Sequence, residues 1–294
     1  MTGARELTEA LGGRWLGRYG AAPCPVCQPE RRRDQAALSI GTGDGGRLLL
    51  RCFKSACAFL DITAAAGLRS DDWRRPDPAA IAERDRETRA EAAKRAAQAE
   101  SLWHEALPIG GTLAARYLRG RGITCPLPPT LRFHPDAWHG ATATRWPAMV
   151  ALVEGGEGFA AHRTYLRADG SGKAPIDPPK AMLGAVAGGA VRLSEGPGPL
   201  VVAEGIETAL SLACGLLGGP ATVWAGLSTS GMRALRLPPT PARLTIATDG
   251  DAPGRAAAHD LATRAHGLGW AVSLLDPGDG LDFNDVLSGK AVAA

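Results

Sequence analysis

Apolar positions recur at two periods along this chain, and each change of period marks off a different part of it. Residues 4–17 carry apolar side chains at helical spacing. A tight turn follows, Ala22-Pro23-Cys24-Pro25-Val26-Cys27. Two short strand-like runs come next, Ala36 to Ile40 and Arg47 to Cys52, with Gly41-Thr42-Gly43-Asp44-Gly45-Gly46 joining them as a hairpin. Asp61-Ile62-Thr63-Ala64-Ala65-Ala66 predicts a small capped helix. Residues 79–105 are rich in Ala, Arg and Glu, with almost no strong hydrophobes before Leu102. They predict a solvated linker helix laced with i,i+4 charge pairs, and no heptad stripe persists to make it a coiled coil. Residues 112–122 predict a further short basic helix. From about 131 to 193 the pattern is strand and hairpin. Met149 to Val153 and Phe159 to Leu166 flank Glu154-Gly155-Gly156-Glu157-Gly158, and the second run ends in the turn Arg167-Ala168-Asp169-Gly170.

From residue 199 strands and helices alternate. The strands are Leu200 to Ala203, Ala221 to Ala225, Leu244 to Ala247 and Ala271 to Leu275; the helices are Ile206 to Leu217, Gly231 to Leu235 and Gly254 to His266. Such alternation predicts a mostly parallel, doubly wound, Rossmann-like sheet, whose functional residues sit at the carboxyl ends of the strands. The expected fold class is multidomain α/β. Its parts are a cysteine-bearing ribbon over 1–68, a helical linker over 69–105, a basic α+β subdomain over 106–197 and the parallel-sheet domain over 198–294.

Composition adds little until it is divided. The 294 residues are 45% hydrophobic and carry a net charge of +3. Residues 1–60 hold nine Lys/Arg against five Asp/Glu, residues 106–197 ten against six, and residues 198–294 six against nine. A basic front and an acidic back suit a protein that grips phosphate with one part and metal with another. No run of about 18 apolar residues predicts a membrane span. The first residues lack the apolar stretch of a signal peptide, so the expected location is the cytoplasm. There, clustered cysteines hold metal more often than they form disulfides.

Two constellations carry chemistry. Cys24-x2-Cys27 and Cys52-x4-Cys57 lie at the ends of one predicted hairpin, and four thiolates can satisfy a tetrahedral zinc ion. Arg31, Arg32, Arg33, Arg47, Arg51 and Lys54 surround them and could contact phosphates, while Cys125 and Cys214 read as isolated thiols. In the second, Glu204 follows one strand, Asp249 and Asp251 follow another, and Asp276, Asp279, Asp282 and Asp285 follow the last. Strand ends of such a sheet converge, and packed carboxylates repel unless hard divalent cations such as Mg²⁺ or Mn²⁺ sit among them. Gly170-Ser171-Gly172-Lys173-Ala174 lacks the first glycine and the Ser/Thr of a Walker A loop, which excludes a fused nucleotide-driven helicase.

The stretches Leu200-Val201-Val202-Ala203-Glu204-Gly205, Asp249-Gly250-Asp251-Ala252-Pro253-Gly254 and Asp282-Phe283-Asn284-Asp285-Val286-Leu287 resemble a Toprim domain, found in bacterial-type primases, topoisomerases and some nucleases. The ribbon resembles the one that precedes Toprim in bacterial and phage primases. Glu204-Gly205-Ile206-Glu207-Thr208-Ala209-Leu210, and His162-Arg163-Thr164-Tyr165-Leu166 with Lys173 and Lys180, resemble Toprim proteins of phages, plasmids and other mobile elements.

The resemblance implies a DNA primase that makes short RNA primers on single-stranded DNA from ribonucleoside triphosphates, with a separate replicative helicase as partner and no membrane. It implies that Glu204 assists the attacking hydroxyl, and that Asp249 and Asp251 hold catalytic Mg²⁺ or Mn²⁺ with Glu204 and Asp282 as further ligands. It also implies that Arg163, Lys173 and Lys180 face nucleotide or template. The family's second acid, four residues after the first, is Thr208 here, with Glu207 one place earlier. The alternatives are a Toprim nuclease, which the ribbon-first order disfavours, and a non-catalytic nucleic-acid-binding protein of a mobile element.

Overall fold

A computed structural model describes residues 3–32, 34–43, 47–68 and 78–289; Arg33 and the hairpin centre Asp44-Gly45-Gly46 lie outside the described residues. The chain forms two compact units that divide between residues 88 and 89.

In the first unit, helix α1 (Ala4–Ala10) is shorter than the pattern predicts. Gly12, at φ +74°, turns the chain, and Arg14–Trp15 becomes strand β1. Strands β2 (Tyr19–Ala22), β3 (Leu38–Thr42) and β4 (Leu48–Cys52) complete an antiparallel sheet in the order β1-β2-β3-β4. Leu7, Leu11, Leu38, Ile40 and Ile62 form its core. Gly20 lets α1 lie close to the sheet, because a Cβ there would stand 1.9 Å from Thr8 Oγ1. Helix α2 (Phe59–Ala65) starts after Ala58, so Asp61 sits in its first turn and does not cap it as expected.

Helix α3 (Pro78–Glu105) leads into the second unit. Its exposed stretch carries the expected Glu91–Arg95 pair, but Ala99 and Trp103 are buried, so its C-terminal part is a packed element and not a solvated linker. Strand β5 (Leu107–Pro108), helix α4 (Leu113–Gly120) and strands β6 (Leu131–His139), β7 (Thr144–Val153), β8 (Ala160–Tyr165) and β9 (Lys180–Gly184) follow. The strands form an antiparallel sheet in chain order. Successive side chains of β8 point to opposite faces. Ala161 packs with Ala99, Trp103 and Val150 on the α3 face, whereas Ala160 packs with Leu118, Met149, Val201 and Ile206 on the other.

The second sheet has the order β10-β12-β11-β13-β14, from strands Val191–Ser194 (β10), Leu200–Ala203 (β11), Thr222–Ala225 (β12), Arg243–Ala247 (β13) and Ala271–Leu275 (β14). Only β10 is antiparallel to its neighbour, so the predicted mostly parallel sheet is present. All four residues of β11 are buried, as a strand covered on both faces requires. Helices α5 (Ile206–Ser211), α6 (Thr229–Ala234), α7 (Ala252–Gly267) and α8 (Phe283–Leu287) surround the sheet. The run expected as one helix to Leu217 stops at Ser211 and widens into a π-turn over Leu212–Leu216, with Gly215 at φ 130°.

That π-turn corrects a further expectation. Cys214 within it is disulfide-bonded to Cys125, which lies 89 residues earlier in the segment after α4, so the two are not isolated thiols. No helix among the described residues is long and apolar enough to cross a membrane.

Candidate active site

Three carboxylates from three strand ends line one small cavity. Glu204 follows β11, Asp249 lies two residues past β13, and Asp282 ends the turn after β14. The cavity has a volume of about 110 Å³, and Gly205, Glu207, Thr208 and Leu227 share its lining. Three cations complete the lining: Arg121 after α4, Lys173 between β8 and β9, and Lys180 at the start of β9.

The acids are held close enough to oppose one another's ionisation. Burial pushes the Asp249 carboxyl up to about 6, and the charges of Asp282 and Asp251 act the same way. Glu204 is likewise raised by burial, then by Asp249 and Asp251. Asp249 Oδ1 is buried and has no hydrogen-bond partner. A bare carboxylate oxygen among like charges is costly unless a cation satisfies it. Asp249 and Asp282, with Glu204 beside them, are the residues here that could hold a hard divalent ion.

The remaining acids divide. Asp251 is exposed and its Oδ1 accepts the Gly254 N–H at 2.7 Å, capping α7, so it adds negative potential from outside the cavity lining. Asp282 also caps a helix, α8, through Oδ1 and the Asp285 N–H at 2.8 Å. Asp276 and Asp279 leave the predicted cluster, because each is 2.7 Å from the guanidinium of Arg255 at the surface.

Glu207 is 4% exposed and faces cations, not the other acids. It accepts a hydrogen bond from Tyr117 Oη at 2.7 Å and lies 3.3 Å from Lys180 Nζ and 3.5 Å from Lys173 Nζ. Burial works against its charge, yet Lys180, Lys173 and Tyr117 hold its carboxyl well below the usual carboxylate range. His162, buried beside them, is pushed down to about 4 by burial and by the Lys180 charge. The Thr208 hydroxyl hydrogen-bonds the Asp249 carboxylate.

The structure brings Lys173 and Lys180 to the acids but not Arg163. As an odd-numbered residue of β8, Arg163 faces α3, where it donates to Trp138 O at 2.8 Å and Met182 O at 3.4 Å. It lines a separate cavity of about 600 Å³ with Arg95, Arg145, His134 and Trp138. Arg121 and Tyr117 are the residues that sequence reasoning missed. Both lie in or beside the predicted basic helix, but nothing local shows which of its side chains reach across to α5.

In the first unit, the Sγ atoms of Cys24, Cys27, Cys52 and Cys57 all lie within 4.8 Å of one another. A tetrahedral ion with bonds of about 2.3 Å would set them roughly 3.8 Å apart, so the four cysteines can hold one metal ion with little adjustment. The first pair sits on a turn braced by Gln28 Oε1, which accepts the N–H groups of Cys24 and Ala37, each at 3.1 Å. Arg51 stacks on exposed Phe53, 5.0 Å from its ring centre.

Residues 199–292 match the family model described as a Toprim domain, and residues 93–193 match a domain of unknown function, DUF7146. The chain therefore carries a Toprim domain. No curated protein matches it in sequence. Among solved structures it is similar to a DNA primase domain from Pseudomonas aeruginosa, at 18% identity over 62% of this chain and 68% of that one, with a TM-score of 0.39. It is similar to the zinc-binding and RNA polymerase domains of the Aquifex aeolicus primase, at 12% identity over 97% and 79%, TM-score 0.42. It is also similar to the RNA polymerase domain of the Mycobacterium tuberculosis primase DnaG, at 15% identity over 69% and 82%, TM-score 0.37.

Proposed function

We propose that this chain is a DNA primase, joining ribonucleotides into short primers on a single-stranded DNA template. The observation that carries the reading is the cavity in which Glu204, Asp249 and Asp282 meet Arg121, Lys173 and Lys180. A cavity of this size that brings acids and cations together suits the phosphate end of a nucleoside triphosphate with its metal ions. Bound Mg²⁺ or Mn²⁺ would supply Lewis-acid activation of the 3′-hydroxyl and neutralise charge on the phosphoryl group being transferred. Asp249 and Asp282, with Asp251 nearby, would hold those ions. Glu204, whose carboxyl is raised by burial and by the charges of Asp249 and Asp251, would take the proton of the primer 3′-hydroxyl. Lys173, Lys180 and Arg121 would bind the phosphates of the incoming nucleotide, positioning its α-phosphorus for attack.

Zinc in the four-cysteine cluster would be structural. It would fix the sheet whose outer surface offers Arg51 and Phe53 to a template strand. A separate helicase would open the duplex ahead of synthesis.

The test is to incubate the zinc-loaded chain with single-stranded DNA, labelled ribonucleoside triphosphates and Mg²⁺ or Mn²⁺, and to resolve the products on a denaturing gel. Short ribonucleotide products that change with template sequence support the reading. Shortening of the DNA instead would assign the same carboxylates to a nuclease.

A further inference from the structure

We propose that Glu207 is a positioning residue, whose buried carboxylate sets the ammonium groups of Lys173 and Lys180 as one fixed clamp for the triphosphate of the incoming nucleotide. The inference deepens the primase reading and rests on it for the identity of the anion.

The argument starts from stoichiometry. A simple buried ion pair is neutral, whereas here one carboxylate holds two ammonium groups, at 3.3 Å and 3.5 Å. The surplus positive charge borders the cavity that holds Glu204, Asp249 and Asp282. Arg121, whose buried Nε lacks a hydrogen-bond partner, borders it too.

Exposure separates the roles. The lysine side chains are 33% and 36% exposed, while that of Glu207 is 6% exposed. The lysines can reach a ligand; the carboxylate acts through them. Each ammonium has three donors, so a bond to Glu207 leaves two for phosphate oxygens. Lysine is a flexible point charge, and two of them side by side repel. A shared anion removes both difficulties before the nucleotide arrives.

The carboxylate is itself fixed. Tyr117 Oη donates to Oε1 at 2.7 Å, and the main-chain carbonyl of Glu207 accepts from Ser211 Oγ at 2.8 Å. Glu207 thus ties α4, the β8–β9 segment and α5 to a single point. The sequence left open whether Glu207 stands in for the acid replaced by Thr208. Its orientation toward Lys173, Lys180 and Tyr117 assigns it to the phosphate side of the site.

The full-length, zinc-loaded chain tests this. ATP binding in Mg²⁺ is measured by calorimetry, and KM and kcat by primer synthesis, with thermal melts to confirm folding. Glu207→Gln is expected to raise both Kd and KM about tenfold while kcat moves less than about threefold. Glu207→Asp should recover part of the loss. Lys180→Met should weaken ATP binding, and adding Glu207→Gln to it should cost little more, because the two act as a unit. Glu204→Gln should abolish synthesis, which separates the loss of a reacting group from the loss of the clamp.

If Glu207→Gln binds ATP like wild type, or loses kcat at unchanged KM, the proposal is overturned. If it does not fold, Tyr117→Phe takes its place, with a raised Kd expected and an unchanged Kd contradicting the proposal. A wild type that makes no primers but binds ATP in a Glu207-dependent way refutes the primase reading and leaves the clamp standing. A wild type that binds neither ATP nor inorganic triphosphate overturns the clamp.

Discussion

Asp249 and Asp282 meet because Gly250, the residue after the first, is stitched to the turn that ends in the second. Gly250 donates its N–H to Leu281 O at 2.8 Å, and its own carbonyl accepts the Gly280 N–H at 2.8 Å. A Cβ at position 250 would lie 1.9 Å from Gly278 O, a main-chain atom with nowhere to go. Gly250→Ala is therefore expected to push the 278–282 turn away and separate the two carboxylates. Denaturant melts should show a loss of about 1–3 kcal/mol, as for other overpacked sites. Metal-dependent activity should fall far more than that stability change accounts for.

His162 gives a pH signature of folding. Its pKa is depressed to about 4 in the folded chain, while an unfolded chain protonates it near the ordinary value of about 6.5. Between those limits the unfolded state binds more protons, so this group's contribution to stability, complete above about 6.5, is lost as pH falls toward about 4. Urea midpoints measured across that window should decline in the wild type. The decline should be shallower in His162→Gln, and identical slopes would refute the assignment.

Asp249 gives the opposite dependence. Its pKa is raised to about 6 in the metal-free fold, so the contribution of this group to stability increases as pH falls through that value and is lost above it. Divalent ions reverse the balance, since they compete with the proton. An ion present at a hundred times its Kd should stabilise the fold by about 2.7 kcal/mol at neutral pH. The Mn²⁺-induced rise in Tm should shrink steadily below about pH 6, where the ion must displace a proton. Asp249→Asn should show little rise at any pH.

The four-cysteine cluster should govern the first unit alone. Its core is small, so a bound metal supplies much of its folding free energy. Chelation, or Cys57→Ser, is expected to unfold the unit before residue 88 and leave the unit after residue 89 folded. Limited proteolysis with metal analysis would show a protease-resistant C-terminal fragment and loss of bound zinc. Equal resistance of both units after chelation would count against a structural metal.

The parts of this protein that the sequence made legible are those set by local pattern. Buried apolar runs alternating with helices gave the parallel sheet, and the rule that its strand ends converge was enough to place Glu204 and Asp249 together. The four cysteines were legible because hairpin spacing alone brings them near. What the sequence did not place depended on register or on distant contact. Arg163 is one residue away from the face that Lys180 occupies, and a period of two decides such a case only when the neighbours of each face are known. Cys125 and Cys214 are 89 residues apart, and only the packing of the segment after α4 against the π-turn joins them. Asp276 and Asp279 shared a cluster with Asp282 in sequence, but Arg255 draws them to the surface. Tyr117 and Arg121 reach the site through tertiary packing, which no local motif announces.

The most direct measurement of the central claim is primer synthesis by wild type, Glu204→Gln and Asp249→Asn on the same single-stranded template, with each variant's melting curve alongside. The cavity of converging carboxylates predicts template-directed ribonucleotide products from the wild type that require Mg²⁺ or Mn²⁺. It predicts a loss of at least about a hundredfold in both variants, with folding retained. Products of undiminished yield from either variant, or none from a folded, metal-loaded wild type that still binds DNA, would contradict it.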